Sequence, residues 1–116
     1  MAERDGAALK HLAAYSRELV DMVRGRTRAD LDSDRMLALS VVRLLEIIGE
    51  AARRVSEGAR SRHLQIPWAQ LIGLRNRLIH GYDAIDLDII WRIVESDVPA
   101  LLAEMERLAS CSDKDA

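Results

Sequence analysis

Apolar residues recur at three- and four-residue spacing along most of the chain, which is the period of an α-helix. The first helix is expected over residues 7–23, with an apolar stripe of Ala8, Leu12, Tyr15, Leu19 and Met22. A second helix is expected from an N-cap at Asp32 or Ser33 to Glu57, with Gly58 as its stop signal. Because valine and isoleucine in these segments do not alternate with polar residues, the pattern predicts an all-α protein.

The second half of the chain has the pattern of two more helices. One is expected over residues 67–79, with a proline in its first turn and Gly81 at its end. The last begins near Asp86, where acidic residues suit the positive end of the helix dipole, and ends near Leu108. Pro99 should kink or split this helix, because proline has no backbone N–H to donate.

The predicted second helix is apolar around much of its circumference and has only a narrow polar stripe. Such a helix must be covered on more than one side, and a chain of 116 residues has few helices to do so. We therefore expect part of its surface to meet a second copy of the chain, since a symmetric dimer is the commonest assembly. The expected fold is a small antiparallel bundle of four to five helices that forms a homodimer.

The length of 116 residues fits a single domain over residues 1–116. We expect an ordered core over about residues 7–109 and a frayed polar tail over residues 110–116. A single cysteine, Cys111, rules out a disulfide framework and a cysteine-rich zinc site within one chain. A lone thiol, a charged N-terminus and short apolar runs together predict a cytoplasmic protein with no membrane partner.

The net charge of −2 hides an uneven distribution of charge along the chain. Residues 53–80 carry six arginines and one acid, whereas residues 83–106 carry seven acids and one arginine, Arg92. The planar guanidinium group of arginine suits phosphates and carboxylates. The basic stretch therefore suits a phosphate-bearing partner, but the arginines of residues 53–62 can equally pair with acids across the bundle.

Two residues near the end of the third predicted helix could act together on a phosphate. Arg75 shares a helix stripe with Ile72 and Ile79, a costly place for a charge unless it is paired or lies at an interface. His80 lies about 140° away from it on an ideal helix, so fraying or a second copy of the chain is needed to bring them together. A histidine base and an arginine cation can cleave RNA through its own 2′-OH without metal. The alternative for His80 is a helix C-cap that interacts with the dipole.

The segment from Arg75 to Tyr82, RNRLIHGY, resembles the Arg-x4-His-x-Tyr motif of HepT-like toxins in the HEPN superfamily. The resemblance extends over about residues 37–102, through LEIIGEAARRVS and DLDIIWRIVESDVPALL. It implies a HEPN-like, all-α homodimer in which the motifs of both chains line a cleft at the interface. It also implies a metal-independent endoribonuclease that is the toxin of a toxin–antitoxin pair.

The resemblance assigns roles to four residues. His80 would be the general acid or base on the 2′-OH, and Arg75 would hold the scissile phosphate. Asn76 would orient the phosphate or His80. Arg77 adjoins the motif and could extend the phosphate track, or it could belong to a solvated face. Tyr82 would accept AMP from a nucleotidyltransferase antitoxin, which adds bulk and negative charge where an RNA phosphate should lie. The expected products are a 2′,3′-cyclic phosphate and a 5′-hydroxyl, with no cofactor.

Two readings other than an RNA-cleaving toxin remain open. One is a non-catalytic HEPN adaptor that binds a nucleotidyltransferase, although an adaptor does not need the Arg–His pair. The other is a plain dimeric scaffold, which gives no reason for Arg75 on an isoleucine stripe. DNA is a less favoured partner, since no compact basic recognition helix is present. Whether the RNA is a tRNA or an mRNA cannot be read from residues that contact the backbone.

Overall fold

The computed structural model describes residues 2–80 and 86–115, with side chains over residues 5–74 and 86–108. These two stretches contain helices and no strand, so the prediction of an all-α fold is confirmed. No helix in them is long and apolar enough to cross a membrane. The elements are α1 (Ala2–Val23), α2 (Arg28–Ser33), α3 (Arg35–Arg53), α4 (Glu57–Arg62), α5 (Trp68–His80), α6 (Leu87–Arg92), a π-helical turn (Ile93–Asp97) and α7 (Val98–Asp115).

Helix α3 lies at the centre of the bundle. It packs against α1 on one side and α5 on the other, while α7 packs against α1 and α2 packs against α3 and α6. The N-terminal end of α1 meets the C-terminal end of α3, because Ser56 donates through its backbone N–H and Oγ to Asp5, at 2.9 and 2.8 Å. These hydrogen bonds lower the pKa of Asp5. The two helices are therefore antiparallel, as predicted.

The broad apolar face of α3 is covered largely within one chain. Eight of its residues are buried: Leu37, Val41, Leu44, Leu45, Ile48, Gly49, Ala51 and Ala52. Among the described residues of α3, Met36 and Leu39 are the large hydrophobic side chains left exposed, at 80% and 56%. The width of this face therefore does not require a second copy of the chain, and the homodimer remains a prediction.

The start of α3 differs from the prediction. Its N-cap is Asp34, whose carboxylate accepts from the backbone N–H of Leu37 at 3.1 Å. Asp32 and Ser33, the predicted caps, lie inside the separate short helix α2. That helix is too short and polar to show a period, and its start at Thr27 is fixed by the side chain of Asp30, which accepts from the Thr27 N–H at 2.7 Å.

The end of α3 also differs. The helix ends at Arg53, and Gly58, the predicted stop, lies within α4. Ser56 is the N-cap of α4, and its Oγ accepts from the backbone N–H of Ala59 at 3.2 Å. A serine that caps a new helix competes with continuation of the old one, and this local signal prevailed over the apolar period.

Pro99 was expected to kink or split the last helix, and the helix is not split: α6, a π-helical turn and α7 follow one another without a break. The helix that begins at α6 widens into the π-helical turn, where the N–H of Val98 bonds to the carbonyl of Ile93. A proline ring clashes with the carbonyl four residues before it, here Glu95, and a wider turn relieves that clash. Beyond it, α7 extends to Asp115, past the predicted end near Leu108.

One polar group in the core is unsatisfied. Ser16 of α1 is fully buried, and its Oγ has no hydrogen-bond partner among the described residues. We expect Ser16→Ala to raise the free energy of unfolding by about 1 kcal/mol, because it removes a desolvated hydroxyl and improves helix propensity. Urea denaturation measures the change. Ser40→Ala in the middle of α3, where the side chain is half-buried, is the control for propensity alone. A smaller gain at Ser16 than at Ser40 would contradict the prediction.

Candidate functional site

Helix α5 carries the predicted motif and is anchored at its N-terminal end. Trp68, Leu71 and Leu74 are buried, and the Trp68 indole N–H donates to the backbone carbonyl of His63 at 2.9 Å. These three side chains hold the N-terminal half of α5 against the core. The helix ends at His80, within a residue of the predicted end.

The motif occupies the last turns of α5. Arg75, Asn76, Arg77 and His80 belong to this helix, but their side chains lie outside the described residues. Tyr82 also lies outside them. The roles assigned to these five residues therefore remain predictions. The structure adds the residues and the groove that surround the motif.

The helix that follows the motif is fixed at its start. Asp86 caps α6 by accepting from the backbone N–H groups of Asp88 and Ile89, at 2.9 and 3.3 Å. From α2, the Nε of Arg28 donates to the Asp88 carboxylate at 2.7 Å, and another guanidinium N–H donates to Asp32 at 3.0 Å. The hydrogen bond to Asp88 raises the pKa of Arg28. This ion pair joins α2 to the first turn of α6, which lies just beyond the motif.

A groove of about 250 Å³ lies between α5 and α6. Its lining residues are Gln70, Leu71, Leu74, Ile89, Arg92, Ile93 and Asp97. In the apolar part, Leu71, Leu74 and Ile93 are buried and Ile89 is exposed, and the Arg92 side chain is exposed as well. Leu74 directly precedes Arg75, so the groove begins beside the motif. The sequence prediction did not include Arg92 in any site, although it stood out as the single basic residue of an acidic segment.

A second groove, of about 360 Å³, lies between α1 and α3. The rings of His11 and Tyr15 meet there edge to face, with centroids 6.3 Å apart. Its arginines are matched by acids on the same helix, since Arg43 pairs with Glu46 at 3.2 Å and Arg54 with Glu50 at 3.7 Å. The Glu50–Arg54 pair joins residues four apart, the ordinary spacing of an ion pair along one helix. Because the charges of this groove are neutralised locally, it is a poorer phosphate site than the first.

The pairing of charges across the bundle, an alternative reading of the basic stretch, is not what the described residues show. Arg53 and Arg54 pair with Glu50 of their own helix. Arg60 donates to the carbonyl of Val55 at 2.9 Å. Within the described parts of the chain, no ion pair joins an arginine of residues 53–62 to an acid of residues 86–106. The same parts contain no cluster of three histidine, cysteine or acidic side chains that could hold a metal ion.

Comparison with known proteins gives a consistent result. A family described as ribonuclease HepT-like matches residues 12–108. A Methanocaldococcus jannaschii protein whose name gives RNase as its proposed activity is 35% identical over 107 residues, which cover 91% of this chain and 98% of that protein. A Thermococcus cleftensis protein named for its expected identity as the ribonuclease HepT is 33% identical over 95 residues, covering 78% and 86%. No solved structure matches the chain.

Proposed function

Because this chain belongs to the HepT-like ribonuclease family, we propose that it is a metal-independent endoribonuclease that cleaves RNA through the 2′-OH and acts as the toxin of a toxin–antitoxin pair. Family membership makes the chain a ribonuclease of the HEPN type. The proposal adds which residues cleave RNA, by which reaction they do so, and which partner controls the activity. The observation that carries it is the string Arg75-x4-His80-x-Tyr82 at the end of α5, inside the matched residues 12–108.

The proposed reaction is a transfer of the phosphoryl group within the RNA. His80 takes the proton of the 2′-OH, the 2′-oxygen attacks the neighbouring phosphorus, and the bond to the 5′-oxygen breaks. The leaving oxygen takes a proton, so the products are a 2′,3′-cyclic phosphate and a 5′-hydroxyl. Arg75 stabilises the negative charge on the phosphoryl oxygens, while Asn76 and Arg77 position the RNA backbone.

The site is proposed to be shared by two copies of the chain. Arg75 and His80 are separated by about 8 Å along the axis of α5 and lie on different faces of a regular helix. A second copy placed across a symmetry axis brings an arginine and a histidine around one phosphate. Support for a shared site comes from this separation and not from the apolar face of α3, which the chain itself covers.

The proposed control of the activity is a covalent modification. A nucleotidyltransferase antitoxin transfers AMP from ATP to the hydroxyl of Tyr82, with release of pyrophosphate. The added phosphodiester carries a negative charge and the nucleoside adds bulk, so both electrostatic repulsion and steric hindrance keep RNA phosphate out of the site. Tyr82 lies two residues beyond His80, which is close enough in sequence for the modification to act on the same site.

The proposal is tested by incubating the purified chain with total tRNA and a generic transcript in the presence of EDTA. We expect cleavage that survives chelation and leaves 2′,3′-cyclic phosphate ends. Mass spectrometry of the same sample reports whether Tyr82 carries AMP. Cleavage that occurs only after Mg²⁺ is added would refute the metal-independent mechanism. A chain with unmodified Tyr82 that cuts neither RNA would favour a non-catalytic adaptor instead.

A further inference from the structure

Arg92 lacks the structural partners that account for other arginines of the chain. Arg17, Arg28, Arg43 and Arg53 each form an ion pair with an acid, whereas Arg92 forms none with any described residue. It stands in the last turn of α6, where a cation normally interacts with the negative end of a helix. That end is absent here, because the helix continues into the π-helical turn and α7.

The side chains around Arg92 form a site of mixed chemistry. Leu71, Leu74 and Ile93 give the groove an apolar floor, and each is at most 6% exposed. Arg92, which is exposed, supplies a cation, and Asp97, which is half-buried and five residues farther along the chain, supplies a carboxylate. The volume of about 250 Å³ is smaller than the sites that hold drug-sized ligands, so it suits one flat ring.

We propose that this groove is a subsite for one unpaired nucleotide of the RNA that flanks the cleaved bond. This inference rests on the proposed function. The base lies on the apolar floor, the guanidinium of Arg92 binds the phosphate of that nucleotide, and the carboxylate of Asp97 accepts a hydrogen bond from an exocyclic amino group of the base. Unpaired bases with exposed edges are the usual targets of RNA recognition, and a carboxylate is a natural acceptor for the amino group of cytosine.

The position of the groove along α5 supports this assignment. Leu74 and His80 are six residues apart, which is about 9 Å along the helix axis. The groove therefore lies beside the predicted catalytic residue and not on top of it. Arg92 and Asp97 also determine how the nucleotide is oriented in the groove, because the cation attracts the RNA backbone and the carboxylate repels it. The part of the nucleotide beside Asp97 is therefore a base edge with an amino group and not a phosphate.

The subsite is tested by steady-state cleavage of short unstructured RNAs at several salt concentrations. For Arg92→Gln we expect kcat/KM to fall about tenfold through KM, and the slope of log(kcat/KM) against log[salt] to lose about one unit. Arg35→Gln is the matched control, because Arg35 is an exposed arginine of α3 outside both the groove and the basic stretch, and its loss changes the net charge equally. It should change kcat/KM less than twofold. Arg92→Lys should keep most of the salt dependence.

The base contact is tested with RNAs that differ only by cytosine or uracil at the nucleotides flanking the cleaved bond. The wild-type chain is expected to prefer cytosine by about tenfold at one of these positions, and Asp97→Asn should remove most of that preference. Equal behaviour of the Arg92→Gln and Arg35→Gln variants would overturn the subsite. So would a cytosine preference that Asp97→Asn leaves unchanged, or no preference at all. His80→Ala is measured in parallel, because cleavage that does not depend on His80 refutes the proposed function itself.

Discussion

Replacing His80 by alanine is expected to lower the rate of RNA cleavage by about 10²- to 10⁴-fold, the contribution usual for a general acid or base. The variant should still fold, because alanine is the best helix former and His80 is the last residue of α5. Single-turnover cleavage in EDTA measures the chemical step directly. Circular dichroism of the same preparations reports whether the variant is folded, and sedimentation reports whether its oligomeric state has changed. Together they separate a loss of chemistry from a loss of structure or assembly.

His63→Ala is the matched control for this experiment. His63 is half-buried at the C-cap of α4. The Trp68 indole donates to the backbone carbonyl of His63 and not to its side chain, so this hydrogen bond survives the substitution. Its cleavage rate should stay within about twofold of the wild type. Cleavage by His80→Ala at the wild-type rate would eliminate the proposed base.

The long helices could be predicted from the sequence because their apolar periods are long. α5 and the start of α6 fall within a residue or so of the expected positions, and Asp86 caps α6 as its place before an apolar run suggests. A disturbance of the last helix near Pro99 could also be expected, because a missing N–H has the same effect in any packing, and it takes the form of a π-helical turn. These features depend on residues that are close together in sequence, so they can be predicted without knowledge of the tertiary structure.

The short helices were missed for the opposite reason. α2 and α4 are six residues each, which is less than two turns and too short for a period to be recognised. Their caps were the better signals: Thr27 lies three residues before Asp30, and Ser56 three before Ala59. A capping serine or threonine marks a helix start even when no apolar stripe follows.

Tertiary packing determines the features that the sequence pattern could not predict, namely what covers α3 and where a groove forms beside the motif. The breadth of the apolar face on α3 correctly indicated cover on two sides, but α1 and α5 of the same chain supply most of it. The groove beside the motif depends in the same way on how α6 and its π-helical turn lie against α5. Arg92 and Leu71 are 21 positions apart in sequence, so no local spacing connects them. The motif itself was readable because its residues are close together in sequence.

Replacing Tyr82 by phenylalanine is expected to abolish transfer of AMP to the chain, because the substitution removes only the hydroxyl that accepts it. The chain has two tyrosines, so Tyr15→Phe is an exact counterpart that changes the same group elsewhere. Tyr15 lies on α1, half-buried beside His11. Each variant is incubated with ATP and a minimal nucleotidyltransferase of the antitoxin type, and intact mass spectrometry counts the AMP groups added. Tyr15→Phe should gain one, as the wild type does.

The same samples then report whether the modification silences the enzyme. After treatment with ATP and the partner, the wild type and Tyr15→Phe are expected to stop cleaving RNA, since the AMP phosphate repels the RNA backbone. Tyr82→Phe should cleave at the same rate before and after treatment. AMP on the Tyr82→Phe chain would place the acceptor elsewhere. Loss of its activity without any AMP would mean that the partner inhibits by binding alone, and the covalent switch would then be unnecessary.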